Sequence, residues 1–464
     1  MRNLLEIFDS TRLLVKIRKF QYYFFMKILI SAVLLLSFSA FAFSQSSEPN
    51  APVSLENETA ENKETQIDSS LIVSKINFIG LKKTRNSYIQ SKVSKFTGKS
   101  IAETDIHALE TAIQLEDLFD DIQISTEQTS ETEAQVTVFV KEKITFVPLP
   151  FAMYSSSGFV AGGLVMDTNA FGQKDMFMLG GFFSNTSKTA MASFTKQSKT
   201  KGVPTISLFV IGSKSSPEWE NLDDDIILKY DAFSFNANLK LSEKLSEHFS
   251  FSNGYGFKYL STDDASGYAG FSPESITAGS VFIGLDYSKS DWNGVFMSTN
   301  SVSILAEVGF TNSDDKDYRF PLRFSFAVGE QHPIFTKRLR MYQHYSGFYG
   351  RKNHLSDFRG RGDGSVLILP GDFATEKIIG GNAGLEVAIA KFNWGMISLY
   401  SDYQVVFTQD FDIFDEGDYE FHHGPNGGAK IYLAKIAFPA LAMGVSYNVR
   451  KNYWQFAAAM GMSF

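Results

Sequence analysis

Two short motifs lie close together in the second half of the sequence: Phe358-Arg359-Gly360-Arg361 and, further along the chain, Gly380-Gly381-Asn382-Ala383. Beyond the second motif, apolar side chains alternate with small or polar ones. The apolar set is Ala383, Leu385, Val387 and Ile389, and the other set is Gly384, Glu386, Ala388 and Ala390. Alternation with period two predicts a β-strand with two unlike faces. The pattern recurs, with almost no helical periodicity, to the last residue, Phe464, and predicts a membrane β-barrel whose side chains face lipid and lumen in turn.

The composition agrees with a barrel. The 464 residues include 44 Phe and 19 Tyr, as expected of rings that form girdles at the two membrane interfaces. A net charge of -8 argues against nucleic acid as the main partner. The chain has no cysteine, which excludes disulfides, thiolate metal sites and thiol nucleophiles.

The amino-terminal part is interpreted as three segments that precede the folded protein. Residues 26–44 have a short basic start, an apolar run and small residues suited to cleavage, which is the pattern of a secretory signal peptide. Residues 1–25 precede this better start and are interpreted as an upstream start-site artefact or an unusual extension. Residues 45–70 are polar with almost no large apolar residues, which predicts a flexible linker.

Residues 71–143 predict a compact α+β domain with the order β-α-α-β-β. Apolar residues alternate near both ends of the segment and follow helical spacing between them, and Thr84 is expected to cap the first helix. The first strand ends at Gly80, and the last has the form Val-x-Val-x-Val and leads to Glu142. In order and spacing this segment closely resembles a POTRA domain.

Residues 144–464 provide room for about sixteen strands of a transmembrane barrel. A long loop, residues 349–377, falls between the eleventh and twelfth predicted strands. The acidic segment from Asp410 to Glu420 and the neighbouring pair His422-His423 are interpreted as a solvated exterior loop. No metal or cofactor site is predicted.

The motifs around this long loop resemble those of the BamA/TamA-type outer-membrane assembly proteins. Phe358, Arg359 and Gly360 match the family's hydrophobic-Arg-Gly-aromatic motif, whereas Arg361 stands where the family has Phe or Tyr. The resemblance implies a loop folded into the barrel, with a Gly-Gly-Asn-Ala-like strand after it.

The resemblance also implies that Arg359 meets acidic groups on the inner wall. The candidates are Asp402 and Glu386. Asp402 fits the family's aromatic-x-Asp-x-Gly pattern except that Gln404 replaces the glycine, and Glu386 falls earlier than the family's usual acid. Carboxylates could bind the planar guanidinium in a bidentate manner. The alternative is that Arg359 is a solvated loop residue.

Closure of the barrel would pair its first strand with its last, which ends at Phe464. The first strand carries Pro148 and Pro150, which cannot donate ladder hydrogen bonds. The sequence therefore predicts a weak seam that could open laterally. In addition, Asp167-Thr168-Asn169 with Gly172 resembles the family's Asp-x-Asn-x-x-Gly turn.

The function implied by the resemblance is assembly rather than catalysis, and no enzyme activity is expected. A POTRA domain would bind unfolded outer-membrane or secreted client proteins by β-augmentation, and the seam would pass them towards outer-membrane lipid. Periplasmic chaperones or accessory lipoproteins are further candidate partners. A dedicated secretion pore for a separate passenger is the main alternative; a plain channel and a surface adhesin are weaker ones.

Overall fold

The computed structural model describes most of the chain from Leu71 onwards. The described residues are 71–101, 106–116, 118–155, 158–198, 202–223, 226–266, 273–293, 295–315, 318–392, 395–410, 417–433 and 439–460. The expected extension, signal peptide and linker, residues 1–70, lie outside this set, and so does Phe464.

The α+β domain contains three strands and two helices in the expected order. They are β1 (Ile72–Ile79), α1 (Asn86–Val93), α2 (Ile106–Gln114), β2 (Phe119–Gln128) and β3 (Glu133–Glu142). The sheet order is β1-β3-β2, with β1 parallel and β2 antiparallel to the central β3. Both helices bury their apolar side chains against this sheet, and the core includes Val73, Ile89, Val93, Leu109, Ile113, Val136 and Val138.

None of the helices in the described part of the chain combines the length and apolarity needed to span a membrane. The expected cap of α1 is wrong. Arg85 precedes the helix as its N-cap, without a side-chain bond. The main-chain N–H of Thr84 donates instead to Glu142 at 2.8 Å, and its hydroxyl accepts from Asn169 at 3.0 Å. Thr84 is therefore used for a contact between the domain and the barrel.

Sixteen strands of the described chain close into an antiparallel barrel. The first eight are β4 (Phe146–Ser155), β5 (Gly158–Asp167), β6 (Met176–Ser184), β7 (Ser187–Lys196), β8 (Thr205–Ser215), β10 (Ile226–Lys244), β11 (Phe249–Ser266) and β12 (Ile276–Asn293). The other eight are β13 (Phe296–Thr311), β14 (Leu322–Pro333), β15 (Leu339–Arg351), β16 (Lys377–Phe392), β17 (Gly395–Gln409), β18 (Tyr419–Leu433), β19 (Pro439–Asn448) and β20 (Tyr453–Met460). A short strand, β9 (Glu218–Glu220), lies in the loop before β10 and pairs with it.

The barrel wall has an apolar outer face and a more polar inner one. Leu385 and Ile389 of β16 are exposed on the outside, where Ala383 also points, whereas Glu386 between them is completely buried inside. The same alternation places Phe324 outside and Arg323 inside on β14. The outward band is therefore the surface suited to lipid.

The predicted exterior loop before the fourteenth barrel strand is shorter than expected. β18 already begins at Tyr419, so Glu420, His422 and His423 belong to the wall, and His422 is buried between Glu420 and Asn448. Gly424 also lies within this strand. In the structure a Cβ at Gly424 would lie 1.7 Å from the carbonyl oxygen of Tyr447. Close packing of neighbouring strands explains this glycine.

Candidate functional site

The loop between β15 and β16, residues 352–376, folds back into the lumen; we call it the in-folded loop. It enters from the end of the barrel opposite to the α+β domain. The first wall strand, β4, begins beside the domain, and β15 is the eleventh wall strand, so in an antiparallel barrel it also runs away from the domain. Two 3₁₀ turns, Leu355–Asp357 and Arg361–Gly364, shape it. The loop and the inner wall share one buried apolar cluster: Leu222, Phe348, Val366, Ile368, Leu369, Phe373, Ile378 and Val406.

The structure does not bring Arg359 to the acids assigned to it. The main chain of Arg359 exchanges two hydrogen bonds with Thr375, at 2.9 and 3.0 Å, which bridges the two arms of the loop. Its guanidinium carbon lies 5.3 Å from the ring centroid of Phe348. Within the described residues, neither Asp402 nor Glu386 forms an ion pair with it. The physical reason is that both acids are already bound by wall side chains.

Glu386 is the centre of a buried network on the wall. It accepts hydrogen bonds from Arg340 at 2.7 Å, Ser398 at 2.5 Å and Tyr432 at 2.8 Å, and Lys430 lies 3.5 Å away. The carboxylate has no exposed surface. Two cations and two hydroxyls offset the cost of burying its charge, so Glu386 joins four strands of the wall.

Asp402 reaches the in-folded loop only through a neighbour. It accepts hydrogen bonds from Tyr342 at 2.8 Å, Asn426 at 2.9 Å and Gln404 at 3.0 Å. The side-chain oxygen of Gln404 accepts from the N–H of Leu367 at 2.6 Å. The glutamine that replaces the family's glycine thus supplies a contact that a glycine could not make.

The Gly-Gly-Asn-Ala motif at the start of β16 makes room for the in-folded loop. A Cβ at Gly380 would lie 2.6 Å from the carbonyl oxygen of Gly364, and one at Gly381 would meet the ring of Tyr345 at 2.3 Å. The side chain of Asn382 donates to the carbonyl of Ser365 at 2.8 Å. Glycine is needed at position 380 because the loop backbone approaches so closely, and at position 381 because the ring of Tyr345 on β15 fills the space.

Phe358 and Gly360 have different roles in the loop motif. Phe358 stacks on Trp219, with ring centroids 5.4 Å apart and an interplanar angle of 28°. Gly360 has a φ of -90°, which any residue can adopt. A Cβ there would meet only the carbonyl oxygen of Phe373, at 3.4 Å. Phe358 therefore packs the loop against the wall, whereas neither the backbone conformation nor crowding requires Gly360.

Asp357 is a wall contact that sequence reasoning missed. It receives a hydrogen bond from Lys258 of β11 at 2.6 Å and lies 3.5 Å from Arg323 of β14. Burial opposes ionisation of Asp357, but Lys258 and Arg323 outweigh burial and lower its pKa. The partners are far from it in sequence, and the only signal was an acid directly before the motif.

Arg361 reaches the opposite part of the wall. Its guanidinium hydrogen-bonds the side-chain oxygen of Gln455 on β20, and it donates to the carbonyl of Leu369 at 3.0 Å. The in-folded loop is consequently attached to the last strand of the barrel.

The last strand, β20, pairs with the first strand, β4, at the seam. Pairs described there are Ala458 with Tyr154, Ala459 with Met153, and Met460 with Ala152. On its other side, β4 pairs with β5 along its whole length. Pro148 and Pro150 lie outside the three seam pairs, in the part of β4 nearer to the α+β domain, and pair with Val165 and Gly163 on the other side.

The turn after β5 holds the α+β domain against the barrel. Lys83 forms an ion pair with Asp167, and the N–H of Arg85 donates to the carbonyl of Gly172 at 2.8 Å. Gly172 has a φ of +71°, and a Cβ there would lie 2.2 Å from the carbonyl oxygen of Lys83. The Asp-x-Asn-x-x-Gly turn is therefore built for contact with this domain.

A cavity of about 750 Å³ occupies the lumen beside the in-folded loop. On strands β8 to β14 its lining mixes apolar side chains with polar and charged ones, which include Asn236, Asn238, Lys240, Lys258, Glu307 and Arg323. The loop contributes Asp357, Phe358 and Arg359 to the same lining. The lumen thus retains a charged space that the loop does not fill.

Comparison with solved structures identifies the fold. BamA from Haemophilus ducreyi lacking POTRA domains 1-3 matches with a TM-score of 0.62 and 13% identity, over 84% of this chain and 84% of that chain. The chain has the BamA-type fold. CdiB from Acinetobacter baumannii matches with a TM-score of 0.56 and 12% identity, over 84% of this chain and 74% of that one. CdiB from Escherichia coli matches with a TM-score of 0.55 and 12% identity, over 87% and 92%.

The resemblance to the BamA/TamA-type superfamily is confirmed at the level of the fold. Sixteen strands in one closed antiparallel barrel, as predicted, agree with these matches. A barrel of this type implies a place in an outer membrane. No protein-family model matches the sequence. No curated protein matches it either.

Proposed function

We propose that this protein is an outer-membrane assembly factor that inserts or translocates β-barrel and surface proteins. The observation that carries the proposal is the seam. β20 and β4 close the barrel through pairs such as Ala459 with Met153, and β4 carries Pro148 and Pro150. Neither proline can donate a ladder hydrogen bond, so a client strand could pair with the freed edges of β4 and β20 and move into lipid.

The α+β domain would capture the client as a POTRA domain in the periplasm. In its sheet β3 is central and β1 and β2 lie at the edges, and the start of β1 is already bonded to residues 98–101. An edge strand has unpaired main-chain groups to which an extended client segment can add by β-augmentation. The contacts of Lys83 and Arg85 with the turn after β5 would hold the client-binding domain beside the barrel wall.

The protein would act by binding its client and distorting the surrounding membrane, with no chemical step. Its partners would be unfolded outer-membrane or secreted clients and outer-membrane lipid, with chaperones or accessory lipoproteins delivering the clients. A dedicated secretion pore is the second candidate. It is favoured by the lumen cavity, whose charged and amide side chains suit an extended polar polypeptide in transit.

Depletion of the protein from its native cell, followed by quantitative proteomics of the outer membrane, tests the proposal. We expect a broad fall in the amounts of many barrel proteins. Loss of one surface or secreted protein, with the other barrels unchanged, would overturn the assembly role and support a secretion pore. A complemented strain that expresses the wild-type chain is the control.

A further inference from the structure

Four polar side chains of the last two strands bind the main chain of the in-folded loop. The bonds run from Ser446 to the carbonyl of Leu367 at 3.2 Å, from Asn448 and Tyr453 to that of Ile368 at 2.9 and 2.8 Å, and from Gln455 to that of Leu369 at 2.7 Å. We call these four donors the carbonyl clamp. Ile368 and Leu369 have no exposed surface, so their carbonyls depend on the clamp rather than on water.

Arg361 completes the clamp from the loop side. One of its terminal nitrogens hydrogen-bonds both the carbonyl of Leu369 and the side-chain oxygen of Gln455. The amide nitrogen of Gln455 binds the same carbonyl. Three groups therefore form a closed hydrogen-bonded set between loop and last strand. A Phe at position 361 has no side-chain donor and could not make either of the two bonds of Arg361.

The loop is held at a second, distant part of the wall. Asp357 binds Lys258 on β11 and lies near Arg323 on β14, whereas the clamp lies on β19 and β20. Counted around sixteen wall strands, these two places lie on roughly opposite sides. The loop thus spans the lumen between a fixed part of the wall and the strands beside the seam.

We infer that the carbonyl clamp and Arg361 form a latch that keeps the β19–β20 hairpin in the closed wall. The loop is also bound to the wall through Asp357 and Lys258, so a hairpin that moves away from β4 cannot carry the loop with it. Separation of β20 from β4 therefore requires release of the loop carbonyls from the clamp. The inference rests on the proposed function only in taking this seam as the part that opens.

The latch predicts that loss of clamp bonds exposes the seam. The chain has no cysteine, so Ala459→Cys provides a single thiol at a site that is 2% exposed. The measurement uses purified full-length protein in lipid vesicles and a membrane-impermeant maleimide. We expect the double change Arg361→Leu with Gln455→Leu to raise the rate at which this thiol is labelled at least tenfold. In Met153→Cys with Ala459→Cys, which are directly paired, the same change should at least halve the disulfide yield.

Two controls restrict the result to the latch. Thr195→Val removes a hydrogen bond of similar length, 3.0 Å to Ser207, between β7 and β8, and should leave labelling unchanged. The cysteine pair Ile283→Cys with Ala306→Cys, across β12 and β13, should cross-link equally with and without the clamp changes. A lower disulfide yield at this pair in the clamp variant would indicate general loosening of the barrel and overturn the latch.

A labelling rate within twofold of the wild type would also overturn it. If the double variant does not fold, Tyr453→Phe removes a single donor at constant shape, and a rise of at least threefold is expected from it. An unchanged labelling rate in the folded Tyr453→Phe variant would also overturn the latch. The measurement uses no client, so its failure is distinguishable from failure of the assembly role, which the depletion experiment tests.

Discussion

At the scale of single residues, stability depends on Glu386 more than on Arg359. Glu386→Gln would leave Arg340 and Lys430 in the wall without their carboxylate. Removal of one partner from a buried pair typically costs about 3–5 kcal/mol. We expect a clear fall in the unfolding temperature, measured by the loss of the compact form that a folded barrel shows on gels.

Arg359→Gln is the matched comparison. It removes a ring contact with Phe348, worth about 1 kcal/mol, and no ion pair within the described chain. Its unfolding temperature should therefore stay close to that of the wild type. A fall in the unfolding temperature as large as that of Glu386→Gln would show that Arg359 anchors the loop to the wall.

The sequence located these residues better than it assigned their partners. Glu386 and Asp402 were expected on the lumen face, and both are there, because strict alternation leaves an acid no other place in a lipid-facing wall. Their partners depend on register between strands and on the path of the loop. Lys258 and Asp357 meet across the barrel from distant parts of the chain, and no local pattern records such a contact.

At the scale of elements, the arm of the in-folded loop that pairs with β9 should respond to pH. Asp372 and Glu220 exchange main-chain and side-chain bonds at 3.2 and 3.0 Å. Burial, and then the charges of Glu220 and Glu218, raise the pKa of Asp372 to about 6. A raised pKa means that folding favours the protonated acid. Its contribution is complete below the unfolded pKa of about 4 and is lost as pH rises through about 6.

Asp372→Asn should therefore remove this pH dependence and stabilise the protein at pH 8, by at most about 3 kcal/mol. Thermal unfolding of both proteins between pH 4.5 and 8 measures the effect. Asp291→Asn changes an exposed carboxylate near the other end of the barrel and serves as the control. Parallel pH profiles for wild type and Asp372→Asn would contradict the assignment.

The strands themselves were predictable wherever two unlike faces alternate. The start of β18 was not, because Gly424, Pro425 and the glycines that follow are typical of turns. In the wall, Gly428 is needed because a Cβ there would lie 2.0 Å from the carbonyl oxygen of Met443. Tertiary packing between neighbouring strands thus overrides local turn propensity.

At the scale of the whole molecule, the loop, the seam and the α+β domain lie along one route. The domain contacts the turn after β5, β5 pairs with β4, and β4 forms one side of the seam. The loop holds the other side through Gln455. A client bound at the sheet edge of the domain would thus lie near the strand with which it would pair.

Pro148→Thr with Pro150→Thr tests whether a weak seam is needed along this route. Threonine would supply two main-chain donors to the part of β4 beyond the three described seam pairs. Two added hydrogen bonds of about 1 kcal/mol each would reduce the open population by about tenfold or more. We expect client assembly in cells to slow accordingly, measured by pulse-chase folding of barrel proteins.

The control is Pro425→Thr, which replaces an exposed wall proline of β18 that pairs with Tyr403 away from the seam. It should leave the assembly rate unchanged. If the double threonine variant folds normally and assembles clients at the wild-type rate, lateral opening at β4 does not limit the process. Clients would then have to leave through the lumen, which is the outcome that a secretion pore requires.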